Sequence, residues 1–286
     1  MKQNNDNIYP IDTDKAWNVL YARLENECLL TGKTKHTPYH KRKIFLQWAT
    51  VAAVVCIGFV FSVFYFSHKQ DNSLLSLQNM ENSGTLVTTL EDGSTVYLAN
   101  NASISYPAAF AGNQRKVELN GNALFCVAKD KNRPFVVETN GITIEVVGTI
   151  FAVQSSLDNS FELSVKEGKV NVHPKNNPTA IPVKAGETVQ LSSRGISKSG
   201  ITNYRIFDRF TDKMCFKDEK LNNIISAINK IYGYPAVISD ESLNNRTLTV
   251  TFEDDSVENM MELICMALNL EQVNKQDTIF IRQSLK

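Results

Sequence analysis

The chain has 286 residues, with 30 Lys and Arg balanced by 30 Asp and Glu, so it carries no net formal charge at neutral pH. That balance excludes the strongly basic footprint of a nucleic-acid binder. The five cysteines, Cys28, Cys56, Cys126, Cys215 and Cys265, fit no zinc or redox spacing, and no disulfide is expected.

Residues 1–43 contain one amphipathic helix. Asp12 or Thr13 can cap its start, Trp17, Leu20, Tyr21, Leu24 and Cys28 recur at spacings of three and four on one face, and Gly32 ends it. A lone helix of roughly 16 residues cannot bury a core of its own. Its apolar stripe therefore needs another surface. Acidic Asp12, Asp14, Glu25 and Glu27 flank the stripe and disfavour anionic lipid headgroups, which points to a partner protein.

Residues 44–66, from Ile44 to Phe66, are an apolar run without a formal charge. At a rise of about 1.5 Å per residue the run reaches roughly 34 Å, enough to cross a hydrocarbon core of about 30 Å. It lies too far from the start, and runs too long, for a cleaved signal peptide. Lys33, Lys35, Lys41, Arg42 and Lys43 precede it, whereas only Lys69 and His68 follow closely. The positive-inside bias predicts a single-pass membrane protein with its N-terminus in the cytoplasm and the bulk of the chain exported.

Residues 67–84 are polar, rich in Asn and Ser, and predict a tether with an apolar island at Leu74, Leu75 and Leu77. From residue 85 to 198, short runs of alternating apolar and polar residues are separated by Asp92-Gly93, Asn120-Gly121, Asn140-Gly141, Glu167-Gly168 and Ala185-Gly186. Turn signals at this density predict an antiparallel β-sandwich or closed, jelly-roll-like roll.

Over residues 213–283 the period changes. Leu221, Ile224, Ile225, Ile228 and Ile231 form a helical stripe ending at Gly233. A second helix is expected to start at Asp255 with Glu258 completing a capping box, carrying Val257, Met260, Met261, Ile264 and Leu268. With the intervening strands the order is strand, helix, strand, strand, helix, strand, strand: a small α+β domain of β-α-β type. The fold class expected is thus mainly β plus α+β, with one transmembrane helix.

No catalytic constellation is visible. The four histidines, His36, His40, His68 and His173, offer no metal-ligand or triad spacing. Nucleophile-elbow, zincin and phosphate-loop motifs are missing. Glu253, Asp254 and Asp255 fall at a helix start, where the helix dipole accounts for them. Neither enzyme activity nor a metal or cofactor is expected.

Residues Leu90 to Leu191 resemble the FecR family of membrane-anchored anti-sigma regulators. The likeness rests on LEDGSTVYL at Leu90 to Leu98, Ser103 to Tyr106 with Pro107, Phe110 to Gly112, RKVELNG at Arg115 to Gly121, Ala128-Lys129-Asp130, RPFVV at Arg133 to Val137, VGTIF at Val147 to Phe151, VKEGKVNV at Val165 to Val172, and Ala185-Gly186-Glu187. Residues Met214 to Arg282 are similar to the small domain that often follows, itself like the N-terminal signalling domains of secretins and TonB-dependent transducers. Where the family usually carries a carboxylate in an F-F-E-V-like strand, this chain has Leu124-Phe125-Cys126-Val127.

The resemblance implies an anti-sigma factor whose cytoplasmic helix holds an extracytoplasmic-function sigma factor through Trp17, Leu20, Tyr21 and Leu24. It further implies that the periplasmic part receives a signal from an outer-membrane TonB-dependent transducer, with release by membrane proteases. The alternative is a membrane-tethered ligand- or glycan-binding module without a sigma partner, binding sugar through Tyr97, Tyr106 and Phe110. Residues 1–43 separate the two readings, because a simple tethered binder has no use for them.

Overall fold

The computed structural model describes residues 12–26, 57–62, 74–80, 83–155, 160–175, 179–192, 195–275 and 278–284. The chain divides into two compact units, Met1–Lys69 and Gln70–Lys286.

In the first unit, helix α1 spans Thr13–Asn26. Of the two expected caps it is Asp12 that acts: its carboxylate accepts from the Lys15 N–H at 3.1 Å, satisfying one donor that a first helical turn leaves open. Cys28 and Gly32 lie outside the described residues. So does most of the expected membrane span; within it, residues 57–62 are helical. Among the described residues no helix is long and apolar enough to cross a membrane.

The second unit is β-rich α+β. Its strands are β1 Leu74–Gln78, β2 Thr85–Thr89, β3 Thr95–Leu98, β4 Ser103–Pro107, β5 Arg115–Asn120, β6 Ala123–Cys126, β7 Phe135–Thr139, β8 Ile142–Val146, β9 Ile150–Ser155, β10 Phe161–Glu167, β11 Lys169–Pro174, β12 Ile181–Lys184, β13 Glu187–Ser192, β14 Gly195–Gly200, β15 Lys213–Lys220, β16 Ala236–Ile238, β17 Thr247–Glu253, β18 Leu270–Lys275 and β19 Thr278–Gln283. Among the described residues three α-helices follow β14 in chain order, the single turn α2 Arg205–Asp208, then α3 Leu221–Tyr232 and α4 Val257–Leu268, with a 3-10 turn at Glu241–Leu243 between the last two.

A seven-stranded sheet, order β1-β4-β5-β7-β8-β11-β12, faces a nine-stranded one, order β14-β13-β10-β9-β6-β3-β2-β15-β17. Both sheets are open, so the closed roll is not what forms. The sandwich is also not wholly antiparallel: β5 and β7 pair in parallel, Val117 beside Val137. Apolar residues at alternate positions of each strand meet between the sheets. Val117, Phe135, Ile144 and Val172 come from the first sheet, and Val96, Phe125, Phe151 and Leu163 from the second. At its centre the Phe125 and Phe151 rings stack 5.1 Å apart.

The opposite face of the nine-stranded sheet carries a second core. Tyr97, Leu124, Cys126 and Ala152 meet Leu221, Ile224, Ile228, Met261 and Ile264 of the two helices. Strands β3 and β6 are therefore buried on both sides. The element order after residue 212 is the expected one, but the segment does not keep its own sheet. β15 pairs in parallel with β2, Met214 beside Thr85 and Phe216 beside Val87, and β17 adds to β15. Only β16, β19 and β18 form a separate three-stranded sheet.

Two local expectations shift. Within the polar stretch expected as a tether, Leu74–Gln78 are a strand on the edge of the seven-stranded sheet, paired with β4. The buried Asn79 ends it, its amide donating to the carbonyls of Gly84 at 2.7 Å and Leu98 at 2.9 Å. The cap of α4 is Ser256, whose hydroxyl accepts from the Asn259 N–H at 3.2 Å. Asp255 instead accepts from the Glu253 N–H, so Glu258 sits one position early for a capping box.

Candidate partner-binding surfaces

Helix α1 brings Trp17, Leu20, Tyr21 and Leu24 to one face, as their spacing requires. Trp17 is 59% exposed, Leu20 46% and Tyr21 61%, with Leu24 half-buried, and no residue of α1 is buried. Removing large apolar side chains of this kind from water stabilises by roughly 1.5–3 kcal/mol each. The capped helix thus presents an apolar stripe that no described residue covers.

The motif strings of the β region converge on a structural node rather than a reactive one. Arg115 is fully buried, and its Nη1 lies 2.6 Å from the Asp92 carboxylate, which is itself nearly enclosed. The same nitrogen donates to the Ala128 carbonyl and Nε to that of Arg133, each at 2.9 Å. Its guanidinium stands 5.4 Å from the Phe135 ring centre. Asp92 also accepts from the Ser94 hydroxyl at 2.7 Å, and Ser94 in turn accepts from the Ala128 N–H. These bonds offset part of the desolvation cost of the buried pair, although Arg115 Nη2 is buried without a partner among the described residues. One string apart, Gly148 has φ +150°, and a Cβ there would lie 2.8 Å from Lys129 Cα, so only glycine allows that close approach.

Tyr97, Tyr106 and Phe110, the aromatics expected of a sugar platform, do not form one. Tyr97 is completely buried and its hydroxyl donates to the Ala227 carbonyl of α3 at 3.1 Å; burial pushes its pKa well up. Phe110 is buried edge-on against Phe135, and Tyr106 is half-buried against the first core. The aromatics serve packing.

Cys126, at the position of the usual carboxylate, is buried in the second core beneath α3. Desolvation pushes its thiol up to about 12, with the Lys230 amine nearby opposing the shift. Cys126, Cys215 and Cys265 are all free. Sequence reasoning passed over Lys230, which reaches from α3 to the Gly93 carbonyl at 2.6 Å and so ties that helix to the Asp92-Gly93 turn. Desolvation lowers its pKa. A lysine on an amphipathic helix gives no sequence signal for such a tie.

The β17 strand, expected within the α+β segment, hydrogen-bonds to β15 alone among the described strands, leaving an open sheet edge. Among the described residues no group of three or more His, Cys, Asp and Glu is placed to hold a metal.

A family model described as "FecR protein" matches residues 79–171, and one described as "FecR, C-terminal" matches residues 213–281. Two crystal structures of a "putative anti-sigma factor" from Parabacteroides distasonis are 21% identical to the chain. They cover 74% and 73% of it, and 99% of their own length, with TM-scores of 0.46 and 0.45. No curated protein matches.

Proposed function

The chain belongs to the FecR family of anti-sigma factors, and from that premise we propose that it is a single-pass inner-membrane regulator that sequesters an extracytoplasmic-function sigma factor. The observation that carries the reading is the uncovered stripe of Trp17, Leu20, Tyr21 and Leu24 on a helix whose start is already capped. An amphipathic helix of this kind binds by laying its apolar face into a groove, and aromatic anchors dominate such contacts. The apolar run Ile44 to Phe66 and the basic cluster before it support an inner-membrane span with the stripe on the cytoplasmic side.

On the periplasmic side, the open edge of β17 is the proposed contact for the signalling domain of an outer-membrane TonB-dependent transducer. An extended segment adding to that edge would satisfy its unpaired N–H and C=O groups. Proteolysis by membrane proteases then releases the sigma factor.

The test is co-purification of the cognate sigma factor with the full chain. Trp17→Ala with Leu20→Ala is expected to abolish capture while leaving thermal stability of the periplasmic part unchanged. Undiminished capture by that variant refutes the assignment. Protease shaving of spheroplasts checks the topology: digestion of residues 70–286 with the N-terminus spared is the expected pattern.

A further inference from the structure

The face of the nine-stranded sheet turned away from the first core changes character halfway along. On β3, β6 and β9 it presents Tyr97, Leu124, Cys126 and Ala152 to the second core. Continuing across β9, β10 and β13, the side chains on that face are Gln154, Glu162, Ser164, Thr188 and Gln190, alternating with Val153, Leu163, Val165 and Val189 of the first core. Register sets these polar groups in rows: Glu162 opposes both Gln154 and Gln190, and Ser164 opposes Thr188.

They floor a cleft of about 480 Å³ whose far wall is the connection from β14 to β15, bringing in Arg205 and Arg209. Ser164 is completely buried and Thr188 is 8% exposed. Burying hydroxyls in a position where valine would pack costs stability unless they are hydrogen-bonded. The two hydroxyls bond to each other at 2.7 Å, which uses one of their two protons and leaves the other to be donated elsewhere. Gln190 Nε2 donates to Glu162 at 2.8 Å, so the row already holds its side chains in place.

Charge and shape narrow the ligand. Among the described residues neither guanidinium pairs with a carboxylate, and Glu162 is the one acidic residue lining the cleft. The cleft is thus net positive and favours an anion. Its lining holds no aromatic ring, so nothing offers a flat platform to the C–H face of a neutral sugar. Amide and carboxylate side chains each present two adjacent polar atoms, a match for neighbouring hydroxyl groups.

We propose that this cleft binds a small polyhydroxylated carboxylate of the sugar-acid class. Arg205 and Arg209 take the carboxylate, and the row of Gln154, Glu162 and Gln190, with the Thr188 hydroxyl, takes the ligand hydroxyls. Phe207 and Phe210, interleaved with the two arginines, are buried in the second core. A bound ligand therefore fastens the β14–β15 connection to the sheet. This site is separate from the β17 edge.

The test is isothermal titration of the purified full chain with gluconate and glucuronate, with glucose and sulfate as the neutral and charge-only probes. Saturable binding of a sugar acid, with glucose and sulfate each at least tenfold weaker, is the expected result. The surface variant Arg205→Gln with Arg209→Gln should weaken sugar-acid binding about tenfold or more without changing the melting temperature of the unliganded chain. Thr188→Val should weaken it as well, and its fold is checked by the same melt. Absence of saturable sugar-acid binding, equal binding of sulfate, or binding indifferent to the arginine pair overturns the proposal.

Discussion

Helices α1 and α3 have the same design and opposite fates. Each places large apolar residues at spacings of three and four, and each has a defined terminus: Asp12 at the start of α1, and Gly233 at φ +67° closing α3. Yet Leu221, Ile224, Ile225 and Ile228 of α3 are at most 3% exposed, whereas the stripe of α1 has no cover among the described residues. Periodicity states that a face must be covered. It does not state whether the cover is in the same chain.

That contrast can be broken at several points, and the largest effect is expected in α3. Ile228→Ala should destabilise the second unit by roughly 2–5 kcal/mol through lost transfer energy and a cavity, read by urea unfolding. A loss below 1 kcal/mol would mean that α3 is not packed as described. Next, Trp17→Ala in α1 should leave that unfolding curve within about 0.5 kcal/mol of the parent. It should nonetheless weaken sigma-factor binding by about 2 kcal/mol or more, measured by titration calorimetry.

A pH ramp probes the cover over α3 directly. The Cys126 thiol is raised from the ordinary 9.0 to about 12 by burial, so the folded state holds its proton where the unfolded state gives it up. Its stabilising contribution is complete below about pH 9 and is lost as pH rises toward about 12. Alkaline unfolding of the parent should therefore be steeper with pH than that of Cys126→Ala, and iodoacetamide should label Cys126 only on unfolding. The smallest effect is expected from Asp12→Ala. It removes the α1 cap at a cost of about 1 kcal/mol, visible as reduced sigma capture and absent from the unfolding curve of the second unit.

Much of this was legible in advance. The stripes of α3 and α4 follow from spacing alone, because burial on one helix face leaves a 3.6-residue signature. The strand-rich stretch was legible from its turns. What escaped were relations between distant segments. Nothing local in Met214–Phe216 announces a parallel pairing with Thr85–Val87, and Asp92 and Arg115 lie in separate strings that say nothing of their ion pair. Strand β1 escaped for another reason. Its residues are mostly exposed, so the alternation that marks half-buried strands is weak there, and Asn79 looks like any other polar residue of that stretch. The aromatics Tyr97 and Phe110 misled because an aromatic in a β-rich domain reads equally as core or as platform, and only burial separates the two.

The parallel seam between β2 and β15 has a practical corollary for anyone trimming this molecule. A fragment stopped near residue 212 would strip away one neighbour of β2 and the apolar cover over Tyr97 and Leu124. It would be left with a bare, sticky ribbon prone to self-association. Silence from such a fragment in a signalling assay would report misassembly, not a missing receiver. Charged or proline replacements along the outer rim of β17 leave that seam intact, and they are the cleaner instrument.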